Sequence, residues 1–97
     1  MTPATHEARL KRARLRAWRR GFREADLILG PFADAHLAAM APAQLDAFET
    51  LLEQPDQDLY AWIIGQCDPP AAFDHEVLGM IRGFRLKARL AREDLGA

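Results

Sequence analysis

Residues 18–33, Trp-Arg-Arg-Gly-Phe-Arg-Glu-Ala-Asp-Leu-Ile-Leu-Gly-Pro-Phe-Ala, contain the boundary between the first two predicted helices. Apolar residues recur at helical spacing on both sides of Gly21, so this glycine interrupts a helical pattern. If Gly21 is the N-cap of the second helix, Glu24 falls at the third helical position. A carboxylate there can reach back to the cap amide, and Asp26 adds charge that the helix dipole favours. The run predicts the end of one helix and the start of the next.

The rest of the chain extends this helical pattern. Val occurs once and Ile four times in 97 residues, so strand formers are scarce, whereas Ala, Leu, Arg, Glu and Gln favour helix. The first predicted helix is 6–19, and the second is 22–40, with a kink or split expected at Pro31. A third runs from Pro42 to about 54, and a fourth is capped by Asp56 or Asp58, with an inward face of Leu59, Trp62 and Ile63. A fifth carries the apolar residues Phe73, Val77, Met80, Ile81 and Phe84. Short helices with short connections predict an all-α fold, a small antiparallel five-helix bundle.

The length of 97 residues fits one domain. We expect an ordered core at about residues 6–89, with the first few residues and the C-terminal tail flexible. No apolar run approaches the ~20 residues that a membrane-spanning helix needs. The single cysteine, Cys67, fits a reducing compartment. The sequence therefore predicts a cytoplasmic protein without membrane insertion.

Charge is distributed unevenly along the chain. Residues 1–23 carry eight basic residues and one acidic residue, residues 24–76 carry eleven acidic residues and no Lys or Arg, and residues 77–97 carry five basic and two acidic residues. The net charge of −1 excludes a polycation of the histone type. Two interpretations stay open. The basic ends can lie against the acidic middle within one molecule, or the charged surface can steer a partner.

The residues that carry chemistry form no recognised catalytic or metal-binding pattern. His6, His36 and His75 are scattered, and Cys67 has no Cys or His at metal-ligand spacing. The absence of serine excludes a serine nucleophile, and the glycines match neither a dinucleotide-binding nor a phosphate-binding loop. We expect no metal site and no catalytic residue.

Residues 19–26 also allow a functional interpretation. A glycine between helices leaves a bare patch that a partner backbone or a planar cofactor can approach closely. Flanking arginines can bind carboxylates or phosphates of that partner. Taken alone, these residues leave both interpretations open, a helix start and an interaction site.

A family resemblance favours the second interpretation. The pattern Arg20-Gly21-x-x-Glu24-x-Asp26 resembles the RGxxE signature of the FAD assembly factor SdhE family. That family is the bacterial counterpart of the mitochondrial succinate dehydrogenase assembly factor 2. The segment 45–63 is similar to the central segment of the family, which includes the pattern Pro-Asp-x-Asp-Leu-Tyr-x-Trp.

The resemblance covers about residues 10–86. It departs from the family pattern at Leu15, where relatives often have an aromatic residue, and at Ala17, where they often have Ser. These departures affect only the detail of the first helix.

The resemblance implies a five-helix bundle that is not itself an enzyme. Its members bind the flavoprotein subunit of succinate dehydrogenase, and in bacteria also that of fumarate reductase, and promote covalent attachment of FAD to a histidine there. The implied FAD belongs to the client, and no cofactor is bound stably by the factor. The partner-binding residues carried over onto this sequence are Arg20, Gly21 and Glu24 at the contact, framed by Arg19, Arg23 and Asp26.

Two other classes of function stay open from the residues alone. The basic first helix could bind nucleic acid, as in an antitoxin-like or regulatory protein, with a steep salt dependence. The acidic middle would repel phosphates, however, and no helix-turn-helix pattern is clear, so the sequence argues against nucleic acid. The chain could also be a helical adaptor for another enzyme. Salt-dependent retention on DNA separates the nucleic-acid interpretation from the other two.

Overall fold

The helices of the computed structural model begin and end close to the predicted boundaries. The structure describes residues 5–96, and their side chains as far as residue 90. Within that part of the chain there are five α-helices, two short 3-10 turns and no strand. The helices are α1 (His6–Trp18), α2 (Arg23–His36), α3 (Pro42–Leu52), α4 (Asp56–Ile64) and α5 (Glu76–Gly96), and the 3-10 turns are Leu37–Ala39 and Ala71–Phe73. The predicted all-α class with five helices is confirmed.

Pro31 lies inside α2 and does not divide it. Proline lacks the amide proton of a helical residue, so one intrahelical hydrogen bond is missing there. The neighbours Leu29, Phe32 and Ala33 are each 0 % exposed, and their burial offsets the missing bond. Of the predicted kink or split at Pro31, the split is wrong, because α2 is continuous through the proline and packing on both sides holds it together. The kink stays a prediction.

Two predicted features of α4 and α5 differ in the structure. Helix α4 has Pro55 as its N-cap and no side-chain cap bond, so neither predicted carboxylate cap, Asp56 or Asp58, is present. Asp56 is instead the first helical residue, and its carboxylate is bound by an arginine described below. Phe73 lies in the 3-10 turn before α5, where its ring stacks on Trp62 with 5.3 Å between centroids.

The expected flexibility of the chain ends stays a prediction. The first four residues lie outside the described part of the chain. Helix α5 continues to Gly96, beyond the predicted end of the ordered core near Arg89.

The hydrophobic core lies where α2, α3, α4 and α5 meet, and α1 covers α2 from one side. The Phe32 ring is central, with centroids 5.7 Å from Phe48 and 5.8 Å from Phe84. Trp62 is 8 % exposed, as its predicted core position requires. In the part of the chain that the structure describes, no helix is long and apolar enough to cross a membrane.

A close approach of Trp18 to Gly30 fixes the end of α1 against α2. A Cβ placed on Gly30 would lie 2.3 Å from Cδ2 of the Trp18 ring, closer than real Cβ contacts come. The indole Nε1 donates to Asp34 Oδ2 at 3.3 Å, and Arg14 Nε lies 3.3 Å from Asp34 Oδ1. Glycine at position 30 therefore lets the last turn of α1 rest on α2, directly before the segment 19–26.

Candidate functional site

The connection between α1 and α2 turns at Gly21, whose φ is +85°. L residues rarely adopt this left-handed region, whereas glycine enters it without steric cost. A Cβ built on Gly21 has nothing within 4 Å, so the space around it is open. Glycine is thus required here by backbone conformation, and its exposed backbone remains accessible from outside.

Arg20, the residue before this glycine, is directed into the molecule. Its side chain is only 7 % exposed. Nε donates to Asp56 Oδ1 at 2.7 Å, the guanidinium donates to the Gln54 carbonyl at 2.6 Å, and it also donates to the Leu52 carbonyl. Leu52 ends α3, where carbonyl groups lack intrahelical partners. Arg20 therefore satisfies the end of α3 and ties the Gly21 turn to the α3–α4 loop.

The start of α2 differs from the predicted capping arrangement. Its N-cap is Phe22, with φ −121° and ψ 97°, because the left-handed Gly21 lacks the extended conformation usual at this position. Glu24 is consequently the second helical residue, and α2 has no side-chain cap bond. Asp26 reaches back instead, and its Oδ1 accepts the backbone N–H of Arg20 at 3.1 Å. The predicted Glu24 cap is wrong, and the carboxylate that reaches back belongs to Asp26.

The six predicted partner-binding residues fall into two groups. Arg20 and Asp26 are partly buried and make contacts within the molecule. The other four are exposed: Arg19, Gly21, Arg23 and Glu24. The structure thus separates the residues that hold the turn in place from those that a partner can reach.

A depression of about 460 Å³ lies between the end of α1 and the α3–α4 loop. Arg16 and Arg19 line it from α1 and its end, and Glu53 and Pro55 line it from the loop. Arg19 therefore borders both the Gly21 turn and this depression.

The uneven charge of the sequence is partly neutralised within the molecule. Arg9 Nε donates to Glu49 Oε1 at 3.0 Å, and the same guanidinium donates to Asp46. Because the Glu49 and Asp46 carboxylates accept these hydrogen bonds, the pKa of Arg9 is raised further above its ordinary value. With the pairs of Arg14 and Arg20 described above, these contacts support the intramolecular interpretation. Exposed basic side chains of α1 leave partner steering open as well: Lys11, Arg12 and Arg16.

The other residues considered for chemistry have separate positions. Cys67 is exposed in the α4–α5 connection. His75 Nδ1 accepts the backbone N–H of Leu78 at 3.3 Å, which stabilises the start of α5. Among the residues that the structure describes, no three His, Cys, Asp or Glu side chains converge on a possible metal site.

The structure also shows a groove beside Glu24 that sequence reasoning missed. Leu27 and Ile28 of α2, Tyr60 of α4 and Phe84 of α5 line it. Apolar residues at helical spacing indicate a buried face, and this signal does not distinguish a closed core from the floor of a groove. Leu27 is exposed although it lies next to the half-buried Ile28, and a full core does not explain this exposure.

A family model and three curated relatives that match this chain carry names of succinate dehydrogenase or FAD assembly factors. The family Sdh5, described as the flavinator of succinate dehydrogenase, matches residues 11–85. The chain is 35 % identical to the mitochondrial succinate dehydrogenase assembly factor 2 of Meyerozyma guilliermondii over 85 residues, which cover 84 % of this chain and 63 % of the relative. It is 38 % identical to the factor of the same name from Dictyostelium discoideum over 63 residues, which cover 65 % of this chain and 45 % of the relative.

A bacterial relative matches over a larger share of its length. The FAD assembly factor SdhE of Acetobacter pasteurianus is 32 % identical over 85 residues, covering 88 % of this chain and 75 % of the relative. The chain spans about half to two thirds of the length of the two mitochondrial relatives.

Proposed function

The chain belongs to the family of succinate dehydrogenase flavinators, and on that premise we propose that it promotes covalent attachment of FAD to the flavoprotein subunit of succinate dehydrogenase. The flavoprotein subunit of fumarate reductase is a second client in this proposal. The chain acts as an assembly factor and not as an enzyme, and the FAD belongs to the client. The cytoplasm is its place of action, which the single, exposed Cys67 favours because free thiols persist in reducing compartments.

The double anchoring of the Gly21 turn is the observation that carries this proposal. The Arg20 side chain binds Asp56 and two carbonyls of the α3–α4 region, and the Arg20 backbone N–H binds Asp26. Gly21 follows directly, with open space around it. A surface held in one conformation before binding loses less entropy on association. The turn therefore suits a docking contact in which a client backbone comes close to Gly21.

The mechanism follows from what flavin attachment requires. A histidine of the client and the flavin methyl group must be held at reacting distance, which is a problem of orientation. A small folded protein that docks on the immature flavoprotein can select the domain arrangement in which these groups meet. In this mechanism Gly21 allows the close approach, and the exposed Arg19, Arg23 and Glu24 form charged contacts with the client.

Co-expression with a succinate dehydrogenase flavoprotein subunit, in cells lacking their own factor, tests the proposal. The readout is flavin fluorescence of the denatured flavoprotein band, which reports covalent attachment. Strong fluorescence is expected only when the chain is present. Equal fluorescence with and without the chain would overturn the proposal.

A pair of variants at position 21 locates the site in the same assay. Any L residue at Gly21 is strained by the positive φ, so Gly21→Ala measures the effect of strain, and Gly21→Arg adds a long side chain on the docking surface. Fluorescence is expected to be lost with Gly21→Arg and retained in large part with Gly21→Ala, at similar thermal stability. Full fluorescence with Gly21→Arg would place the contact elsewhere.

A further inference from the structure

A groove of about 630 Å³ lies between α2 and α5. Leu27 stands on its α2 side and is 58 % exposed. Ile28, Tyr60 and Phe84 also line the groove, where they are half-buried and pack against the core. The groove therefore leaves apolar and aromatic side chains next to one another at the surface, in contact with water.

The groove is continuous with the Gly21 turn. Glu24 belongs to the turn region and also lines the groove. Phe22, the residue after Gly21, packs edge-to-face on Tyr60 with 5.2 Å between ring centroids. A partner that covers the exposed side of Gly21 therefore reaches the groove without crossing another element.

The turn by itself lacks the features of a stable interface. Specific interfaces bury about 800 Å² on each partner and place apolar and aromatic residues at the centre with a polar rim. The exposed part of the turn offers a glycine and charged side chains, which are typical of a rim. Leu27, Tyr60 and Phe84 offer the apolar and aromatic centre that the turn lacks.

We propose that this groove seats an apolar segment of the same client flavoprotein that approaches Gly21. The proposal rests on the proposed function and names a second, larger part of its docking surface. Glu24 lines the groove from α2, whereas Arg85 and Arg89 line it from α5. The seated segment therefore carries an acidic residue on its side facing α5, and a basic or uncharged residue beside Glu24.

The test measures binding of the chain to a purified flavoprotein subunit of succinate dehydrogenase, with a fluorophore attached to the exposed Cys67. Leu27→Asp places a charge in the groove, and Leu15→Asp is the matched control, since Leu15 is 52 % exposed on α1 and lies outside the groove. Kd is expected to rise at least about tenfold for Leu27→Asp, as for a central interface residue, and to stay within about twofold for Leu15→Asp. Unfolding of both variants is measured alongside.

Three results would overturn the inference. If wild type binds and Leu27→Asp binds equally well, the groove is not part of the interface, while the proposed function still stands. If wild type neither binds the subunit nor promotes flavin attachment, the proposed function fails and the groove proposal fails with it. If sedimentation shows that Leu27→Asp converts a dimer of this chain into monomers without weakening client binding, the groove holds a second copy instead.

Discussion

Arg20 and Asp56 form an ion pair in which Nε lies 2.7 Å from Oδ1, at side-chain exposures of 7 % and 35 %. The pair joins the two segments that carry the family resemblance, the one around Gly21 and the segment 45–63, in which Asp56 belongs to the pattern that starts at Pro55. Arg20 of the first segment therefore holds the Gly21 turn in place by binding Asp56 of the second segment. The proposed partner contact therefore rests on the exposed residues beside it, Arg19, Gly21, Arg23 and Glu24.

Replacement of Arg20 is expected to destabilise the fold. Arg20→Ala leaves Asp56 without its partner and removes donors from two carbonyl groups, and we expect a loss of roughly 3 kcal/mol in the free energy of unfolding. The free energy of unfolding of Arg20→Lys is expected to lie between those of wild type and Arg20→Ala, since an ammonium group keeps the charge but cannot reproduce the guanidinium fork. Urea unfolding measures this, with the exposed Arg19→Ala as control. Equal stability of the Arg20 and Arg19 variants would contradict the anchoring role.

Glu24 and Asp26 are expected to respond differently to alanine. Asp26→Ala removes the acceptor of the Arg20 backbone N–H, and we expect it to cost about 1 kcal/mol of stability. Glu24→Ala, at an exposed position without a cap bond, is expected to change stability by about 0.5 kcal/mol or less, yet to reduce flavin attachment. Thermal melts and the fluorescence assay together check this. A large stability loss from Glu24→Ala would restore the capping interpretation.

Gly30→Ala is expected to be destabilising by about 1–3 kcal/mol, because the new methyl group would enter the Trp18 ring. Gly79→Ala is the matched control, a helical glycine of α5 with nothing within 4 Å of the added Cβ. It is expected to stabilise the protein by about 0.5–1 kcal/mol. Chemical unfolding measures both changes in stability, and the near-ultraviolet circular dichroism of the two tryptophans, Trp18 and Trp62, reports a displaced indole. A neutral Gly30→Ala would mean that Trp18 does not rest on α2.

Trp62→Ala is expected to cost about 3–5 kcal/mol, the usual loss for a large buried aromatic residue. Trp62 is 8 % exposed and stacks on Phe73, so the substitution removes packing from both α4 and the turn before α5. Differential scanning calorimetry measures the change in midpoint. An unchanged midpoint would place Trp62 on the surface.

The chain is expected to pass through a DNA column at about 0.15 M salt. Three arginines of the basic first segment are already paired within the molecule: Arg9, Arg14 and Arg20. The acidic residues that pair with them repel phosphates as well. Retention that falls steeply with rising salt would instead support the nucleic-acid interpretation of α1.

The number of helices and most of their boundaries followed from the sequence, because proline-containing breaks and helical spacing are local signals. The breaks at Pro42 and Pro55 are examples. Pro31 misled the prediction, since its effect depends on how firmly the flanking residues are buried in the core. Part of that burial comes from Phe48 of α3 and Phe84 of α5, which pack on Phe32 and are distant in sequence.

The motif selected the candidate site from the sequence, and its role in partner binding stays a prediction, while the contacts of its individual residues needed the structure. Arg20 and Arg19 are identical in type and adjacent, and only the fold shows that one binds the α3–α4 loop and the other is exposed. Glu24 and Asp26 both suit a helix start, and the conformation of Gly21 decides which of them reaches back. The role of Arg20 depends on contacts with a segment more than thirty residues away, and the roles of Glu24 and Asp26 depend on the φ angle of Gly21.

The most direct test of the central claim is the rate of covalent flavin attachment in a purified system. FAD and an unflavinylated flavoprotein subunit of succinate dehydrogenase are mixed with increasing amounts of the chain, and covalent flavin is followed over time. The rate of flavin attachment should rise to saturation with wild type and with Gly21→Ala. With Gly21→Arg it should stay near the rate measured without the chain. A rate unaffected by the chain, or raised equally by Gly21→Arg, would contradict the claim that the anchored turn at Gly21 is the docking site.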